Sequence, residues 1–393
     1  MKISNIKITP VNMPQDLPFV WTGGLYPGIS PLIIEVETDA GLVGLGEAPS
    51  LRLEADLKRF IPRLIGKDPF DIAELENLCV PPWQITPNTD GNSTVAAFGG
   101  LELALWDLRG KAWNMPVYKL LGGAVRKEIA FAEYFSFRMS MDGAGKEMDT
   151  QAIVEYCLRM RAEHGSTCFE GKLIQGDPEL EIQTVRALRE ALGPRAMLRL
   201  DANMQWSLTT ARRILREIEP YNIRGYEDPV ATFEELAALR RHSSIPFSTH
   251  LPDLRRAVAM GVPDFFVTNF AVLGGIQRAV RFIGACEAMG VGFWCYAGYT
   301  GISTAAFLHV AAATQWIQEP SQSVLHWLVG DVIKGGPFNP KNNVVQVPEG
   351  PGLGIELDPA ALKYWHQHYV DHGPMNIYHN PENPGHFRRL PLN

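Results

Sequence analysis

The stretch CFEGKLIQGD, residues 168–177, places a carboxylate and an ammonium group two residues apart in what otherwise resembles a short buried strand. Residues two apart on a strand project to the same side, so Glu170 and Lys172 face one way. A lysine on the inner side of such a strand is a candidate acid–base group. Burial and a nearby cation both favour its neutral amine, which is the form that accepts a proton.

Polar residues recur at the carboxyl ends of the predicted strands, each about one strand–helix unit after the last. From the second strand to the eighth they are Lys172, Asp201, Glu227, His250, Asn269, Cys295 or Tyr296, and Glu319. In a parallel barrel the carboxyl ends of all the strands meet at one mouth, where active sites of this architecture lie. The spacing therefore predicts a ring of chemically active side chains around one cavity.

Two members of this ring, Asp201 and Glu227, are carboxylates on adjacent predicted strands. Two buried carboxylates without a partner repel each other, and one of them would stay protonated. A divalent cation removes that cost, and carboxylate-rich sites suit Mg²⁺ or Mn²⁺. Each carboxylate could instead cap the helix that follows it, but two at corresponding strand ends favour a metal site.

Arg199 lies two residues before Asp201, just as Glu170 lies two residues before Lys172. If Lys172 and Asp201 form one layer of the barrel interior, Glu170 and Arg199 lie in the layer below. Neither charge would be tolerated there alone, so we expect a buried ion pair between neighbouring strands. Lys172 could likewise form a structural ion pair with Asp201, which does not exclude a catalytic role.

The elements that must position these residues fall into three parts. Residues 1–125 mix strand-like and helical segments and are expected to form an α+β capping domain, in which the Gly-, Pro- and aromatic-rich stretch 16–30 is a loop. Residues 126–355 repeat the pattern of strand, turn and amphipathic helix, which predicts an α/β fold with a (β/α)₈ TIM barrel. Its eighth strand is expected over Gln315–Glu319. Residues 356–393 are expected to be a C-terminal arm that completes the cap or covers a subunit surface.

The composition indicates a globular protein that binds small molecules. Of the 393 residues 46% are hydrophobic and 20% charged, which supplies enough apolar side chains for two domain cores. A net charge of −7 without blocks of like charge argues against nucleic acid or an anionic membrane as a partner. Five scattered cysteines, no signal-peptide core and no membrane-length apolar run predict a soluble, cytoplasmic protein with reduced thiols.

Five longer motifs carry a resemblance to a known family. They are AAFGGLELALWDLRGKAWNMPVYKLLGG (96–123), LRLDANMQWS (198–207), YEDPV (226–230), VLGGIQRAV (272–280) and GPGLGIELD (350–358). Together they resemble the enolase superfamily, in its mandelate racemase/muconate lactonizing branch, over nearly the whole chain. The resemblance implies an α+β lid over a modified TIM barrel and a homo-oligomer. It also implies Mg²⁺ on the substrate carboxylate, a base that removes the α-proton and an enediolate intermediate.

The resemblance assigns roles on one side of the ring. The family's second strand usually carries Lys-x-Lys with the second lysine as base, so Lys172 keeps the base position and Glu170 replaces its partner. The family's third metal ligand follows strand five, where this chain has His250, with Asp253 just beyond. His250 is the preferred ligand, which would shift metal preference toward Mn²⁺ or Zn²⁺, and Asp253 or water is the alternative.

The opposite side departs from the family pattern. Many members carry an Asp on strand six and a His on strand seven as a second acid–base pair. This chain has Asn269 and either Cys295 or Tyr296 there, so a symmetrical two-base racemase is disfavoured. Glu319 matches the strand-eight acid that helps to stabilise the intermediate in relatives.

The sequence thus gives a set of candidate site residues. The candidate catalytic residues are Lys172, Glu319 and Tyr296, and the candidate metal ligands are Asp201, Glu227 and His250. The candidate substrate contacts are Trp21, Tyr26, Asn203, Asn269, Cys295 and Glu170, with Tyr299 as a further group for substrate hydroxyls.

Three functions fit these residues. The leading hypothesis is dehydration of a sugar acid to a 2-keto-3-deoxy acid, because syn elimination can use Lys172 as both base and acid. The alternative is an isomerase (an epimerase, racemase or cycloisomerase) with Tyr296 or Cys295 as the opposing acid. The third is a non-catalytic binding protein that keeps the lid and barrel, which failure to bind any divalent cation would favour.

Overall fold

The computed structural model describes residues 1–81, 92–140, 146–296 and 300–375, together with residue 386 and residues 389–391. They form an N-terminal α+β domain over a barrel of parallel strands, as the sequence predicted. Within the described residues no helix is both long and apolar enough to cross a membrane.

The N-terminal domain packs helices on an antiparallel sheet. Its strands are β1 (Ile3–Pro10), β2 (Met13–Trp21), β3 (Gly24–Ile29), β4 (Leu32–Thr38) and β5 (Val43–Ala48). Its helices are α1 (Glu54–Leu64), α2 (Ile72–Cys79), α3 (Asn92–Ala112) and α4 (Val117–Leu120), with a short 3₁₀ helix at Leu51–Leu53. The sheet has the order β1-β4-β5, α3 packs against β5, and the buried side chains of this domain join those of barrel helices in one hydrophobic core.

The prediction of a loop over residues 16–30 is wrong, because most of that stretch forms β2 and β3. These strands pair antiparallel and extend through β7 (Arg138–Met139) and β8 (Lys146–Glu147), which follow the first barrel strand. Gly24 and Gly28 have φ values of 125° and 152°, a backbone conformation that side chains rarely adopt. The glycines that suggested a loop therefore shape a hairpin, which is fastened to the barrel by β7.

In the described part of the chain eight parallel strands form the barrel, and they occur in sequence order around it. They are β6 (Glu128–Ser136), β9 (Cys168–Lys172), β10 (Met197–Asp201), β11 (Gly225–Glu227), β12 (Phe247–Thr249), β13 (Phe265–Thr268), β14 (Gly292–Cys295) and β15 (Ser321–Ser323). A parallel bridge between Tyr296 and Gln322 brings the last two strands together. Strand β16 (Val344–Gln346) adds to β6 in the antiparallel sense.

Helices connect the strands and cover the outside of the barrel. They are α5 (Thr150–His164), α6 (Pro178–Leu192), α7 (Leu208–Ile218), α8 (Phe233–Arg240), α9 (Leu254–Met260), α10 (Phe270–Leu273), α11 (Ile276–Met289) and α12 (Gly301–Ala313), with α13 (Pro359–His372) after the barrel and 3₁₀ helices at Glu219–Tyr221 and Leu325–Trp327. Helix α6 begins as its sequence favours, since the Asp177 side chain caps it and its first residue is Pro178.

The eighth strand was predicted at Gln315–Glu319, which is wrong: the strand is Ser321–Ser323, beyond Pro320. Apolar Trp316 and Ile317 suggested a strand, but the Trp316 indole instead donates a hydrogen bond to the carbonyl of Val291. The true strand is entirely polar and buried, so it carries no apolar alternation that a pattern search can detect.

The predicted ion pair below the barrel mouth is confirmed. Arg199 and Glu170 are partners in the β9–β10 register, and Arg199 Nη2 lies 2.6 Å from Glu170 Oε2 with both side chains at most 1% exposed. The Arg199 guanidinium also lies over the Trp294 ring, 4.4 Å from its centroid. On the other side of Glu170, the Gln322 amide donates a 2.9 Å hydrogen bond to Oε1. Glu170 is therefore held from two sides beneath the site.

We expect Arg199→Met to destabilise the protein by about 3–5 kcal/mol, because it leaves Glu170 buried without its countercharge. The double variant Glu170→Gln with Arg199→Met should recover most of that loss, since no charge then remains. Urea unfolding followed by fluorescence measures both. If Arg199→Met unfolds with the same urea midpoint as the wild-type protein, the ion pair does not stabilise the fold.

Candidate active site

The predicted ring lies around a cavity of about 320 Å³ between the barrel mouth and the β2–β3 hairpin. Barrel residues with polar groups form its floor: Tyr134, Lys172, Asn203, His250, Tyr296, Gln322 and Ser323. The remaining wall comes from the lid and the segment after β15: Met13, Gln15, Phe19, Trp21, Tyr26, Ile29, Val324 and Leu328. The cavity therefore has a polar end in the barrel and a second end under the lid.

Lys172 ends β9 and makes an ion pair with Asp201, which ends β10. The same Asp201 oxygen, Oδ2, accepts a 3.1 Å hydrogen bond from the Tyr134 hydroxyl, and Oδ1 accepts one of 2.8 Å from the Asn203 backbone N–H. Burial, followed by the charge of Asp201, raises the pKa of Tyr134 well above its usual value. The phenol is therefore a proton donor here, and Asp201 is held by three donors.

A second cluster lies on the next two strands. His250 Nδ1 lies 2.7 Å from Glu227 Oε1 and 3.0 Å from Asp228 Oδ2, and the His250 backbone N–H also donates to Asp228. Burial alone would lower the pKa of His250, but the two carboxylates raise it well above its usual value. Burial and then the charge of Asp201 raise the pKa of Glu227 to about 8. Between these two acids the imidazole is therefore favoured in its protonated form, and it would release that proton on binding a metal.

These residues fit a divalent cation. One ligand atom from each of Glu227, Asp228 and His250 lies within 4.8 Å of the others, and Asp201 pairs with Glu227 in the strand register. Burial and the charge of Asp201 disfavour the charged form of Glu227, and a divalent cation would favour it. Among the described residues no donor reaches the buried Oδ1 of Asp228. A mainly carboxylate set of this kind suits Mg²⁺ or Mn²⁺.

Of the two alternatives for the third ligand, His250 lies in the cluster and Asp253 has another role. The Asp253 side chain accepts a 3.1 Å hydrogen bond from the Arg256 N–H and caps α9. Asp228 was missed by the sequence reasoning, which used YEDPV only for Glu227. Its position directly after a ring carboxylate was the available signal.

On the far side of the mouth, Tyr296 rather than Cys295 faces the main cavity. Cys295 is 1% exposed and packs in the hydrophobic core, where burial raises its pKa well above the usual value. Asn269 donates to the Tyr296 hydroxyl while its own Oδ1 accepts from the Val272 N–H and caps α10. Asn269 therefore fixes Tyr296 and borders a smaller cavity beside it. Tyr299 lies outside the described residues.

Glu319 and Glu170 also do not line the main cavity. Glu319 makes an ion pair with Arg224, which immediately precedes β11, so it lies at the amino end of the strands and away from the mouth. Glu170 is fully buried below the floor and does not contact the cavity. The position expected for Glu319 is occupied by Gln322, whose amide donates to both Glu170 and Glu227.

Trp21, Tyr26 and Asn203, predicted as substrate contacts, all line the cavity. Asn203 also accepts a 2.5 Å hydrogen bond from the Thr22 hydroxyl at the end of β2. The lid hairpin is therefore tied directly to the loop that follows Asp201. Tyr134 was missed because the predicted ring began only with the second strand.

Comparisons with known proteins agree with this geometry. A family model described as enolase C-terminal domain-like matches residues 152–361. A model of the mandelate racemase/muconate lactonizing enzyme N-terminal domain matches residues 3–122. The two matches cover the barrel and the lid separately, so the likeness is not confined to one domain.

Individual relatives are similar along their whole length. A probable glucarate dehydratase of Streptomyces coelicolor is 28% identical, covering 94% of this chain and 92% of the relative. A chloromuconate cycloisomerase of Pseudomonas putida is 26% identical, covering 93% and 99%. A crystal structure of an enolase from Pseudomonas fluorescens, with bound magnesium, potassium and tartrate, superposes with a TM-score of 0.86 at 29% identity, covering 95% of this chain and 93% of that one. The chain therefore belongs to the enolase superfamily, in its mandelate racemase/muconate lactonizing enzyme branch.

Proposed function

We propose that the protein is a divalent-metal-dependent enzyme that removes the proton α to a carboxylate, with Lys172 as the base. The observation that carries this proposal is the position of the Lys172 amine. It lines the cavity and touches Asp201. Asp201 in turn lies one strand away from the cluster of Glu227, Asp228 and His250. Lys172 and His250, one of the candidate metal ligands, therefore border the same cavity.

Glu227, Asp228 and His250 would hold the cation, with Asp201 as the adjoining carboxylate. Mg²⁺ is the expected ion and Mn²⁺ a possible substitute, because the set is mainly carboxylate with one imidazole. A bound cation supplies Lewis-acid stabilisation of the charge that develops on a substrate carboxylate. The magnesium and tartrate in the Pseudomonas fluorescens structure support a small carboxylate as the ligand here.

Dehydration of a 2,3-dihydroxy acid is the reaction that the chain's own residues support best. Lys172 takes the α-proton, the C–O bond at the neighbouring carbon breaks, and the Lys172 ammonium returns a proton to the leaving hydroxide as water. The enol that remains tautomerises to a 2-keto acid. No second base is needed, which agrees with Asn269 and Tyr296 in place of an Asp–His pair. The probable glucarate dehydratase favours a sugar acid as the substrate, whereas the lid lining favours a less hydroxylated acid.

An isomerase is the second candidate, and Tyr296 is the observation that favours it. Its phenol lies on β14's side of the cavity, across the mouth from Lys172, and accepts a hydrogen bond from Asn269. A phenol so placed could deliver a proton to the opposite face of the substrate. The chloromuconate cycloisomerase relative is consistent with such a reaction.

We expect Lys172→Ala to abolish proton exchange at the α-carbon, lowering its rate by at least ~100-fold, since a positioned base contributes that much. The measurement is proton NMR of a panel running from tartrate and glucarate to 2,3-dihydroxy acids with an apolar remainder, incubated with protein and Mg²⁺ in D₂O. Deuterated 2-keto product indicates a lyase, and returned epimer indicates an isomerase. Exchange that persists in Lys172→Ala would exclude Lys172 as the base.

We expect Asp228→Asn to weaken Mg²⁺ binding by about 10-fold or more, because loss of a coordinating charge costs at least as much as loss of an outer partner. Asp253→Asn is the matched control. It removes an acid of the same type near the same mouth, and asparagine still caps α9. Isothermal calorimetry measures both. Equal affinity in the two variants would remove Asp228 from the metal site, and no Mg²⁺ or Mn²⁺ binding by the unmodified protein would favour a non-catalytic role.

A further inference from the structure

The two ends of the cavity differ in chemistry. Its barrel end offers an amine, an imidazole, two phenols and two amides within the floor. Its lid end is formed by the side chains of Met13, Phe19, Ile29 and Leu328, of which the first three are at most 7% exposed. Of the described lid residues that line the cavity, Gln15 is the one with a side-chain amide, and the others are apolar or aromatic. Polar recognition is therefore concentrated near the candidate metal ligands.

The apolar wall is also packed tightly enough to keep its shape. Phe19 and Tyr26 have ring centroids 4.8 Å apart, and Trp21 meets Tyr26 edge-on at 6.0 Å. Behind them Phe19 lies 5.5 Å from the ring of Trp327, which is itself buried beside the barrel strands. Aromatic pairs at such distances reinforce one another. We therefore expect the side chains of the wall to keep these positions when a ligand binds.

Such a surface discriminates between carboxylates that share one head group. A hydroxyl buried against aromatic or aliphatic carbon loses its water and costs roughly 1–3 kcal/mol if no partner replaces that water. A methylene in the same place gains about 0.8 kcal/mol. A polyhydroxylated chain extending from the floor to the lid would bury several hydroxyls, each at that cost in free energy. An apolar chain in the same place would be stabilised by each buried methylene.

We propose that the substrate is a carboxylic acid whose polar groups lie within a bond or two of the carboxylate and whose body is apolar, either aliphatic or aromatic. This proposal rests on the proposed function, because the metal ligands and Lys172 are what direct the carboxylate to the barrel end. It replaces the sugar acid expected from the sequence with a 2,3-dihydroxy acid whose remaining chain or ring is hydrocarbon.

Isothermal calorimetry of the Mg²⁺-loaded protein with 2-hydroxyoctanoate and with gluconate tests this proposal. Both acids present the same carboxylate and 2-hydroxyl group to the metal and differ in the rest of the chain. We expect 2-hydroxyoctanoate to bind at least ~10-fold more tightly, since two buried methylenes suffice for that factor. Gluconate binding as tightly or more tightly would overturn the apolar substrate while leaving the proposed function intact. Binding of neither acid to a protein that does bind Mg²⁺ would overturn both.

Leu328→Asn places an amide on the apolar wall, and Val329→Asn is its neighbour and matched control, with a side chain 51% exposed and outside the cavity. We expect Leu328→Asn to weaken 2-hydroxyoctanoate binding about 5-fold, to leave Mg²⁺ affinity unchanged and not to weaken any gluconate binding. Val329→Asn should change none of these. An equal loss for both acids in Leu328→Asn would mean that the wall does not distinguish an apolar chain from a polyol, contrary to the proposal.

Discussion

The structure depends on how negative charge is distributed beneath the barrel mouth. Glu170, Asp201 and Glu227 are all buried on three consecutive strands, and Asp228 follows directly. The protein answers this charge locally, with Arg199 against Glu170, Lys172 against Asp201 and His250 against the last two acids. Only the first pair is sealed from solvent on both sides. In the lower layer the negative charge is therefore neutralised by a fully buried cation. In the upper layer its partners are an amine and an imidazole that border an open cavity, where a ligand can replace them.

This division follows from the parallel register. Arg199 pairs with Glu170, and two residues later Asp201 pairs with Glu227 on the other neighbour, so β10 serves both layers on alternate residues. A residue inserted between Arg199 and Asp201 would turn one of them out of the barrel. Gln322 joins the layers from β15, because its amide donates to Glu170 below and to Glu227 above. The replacement of the family's first strand-two lysine by Glu170 is accommodated by these neutral and cationic donors.

Sequence reasoning succeeded where periodicity and chemistry coincide. Asp201 and the Glu170–Arg199 pair could be placed because alternation along a strand fixes which residues share a side, and a lone buried charge requires a partner. It failed where the local composition is not typical of the structure that forms. Strand β15 consists of three buried polar residues, and the β2–β3 hairpin is rich in glycine, proline and aromatic residues. The choice between Cys295 and Tyr296 depended on the residue at which β14 ends, and sequence patterns do not fix strand ends to one residue.

The lid and the floor are mechanically connected, which bears on how specificity and chemistry could evolve together. The β2–β3 hairpin supplies much of the apolar wall, and it is joined to the barrel by pairing with β7 and by the hydrogen bond from Thr22 to Asn203. The Asn203 N–H in turn holds Asp201. A change of lid sequence that shifts the hairpin therefore moves a group bonded to the acid that holds Lys172. The backbone of Leu328 also pairs with Gln15 on β2, but its side chain takes no part in these hydrogen bonds. Substitution of that side chain is therefore expected to alter substrate range without disturbing the residues proposed to move the proton.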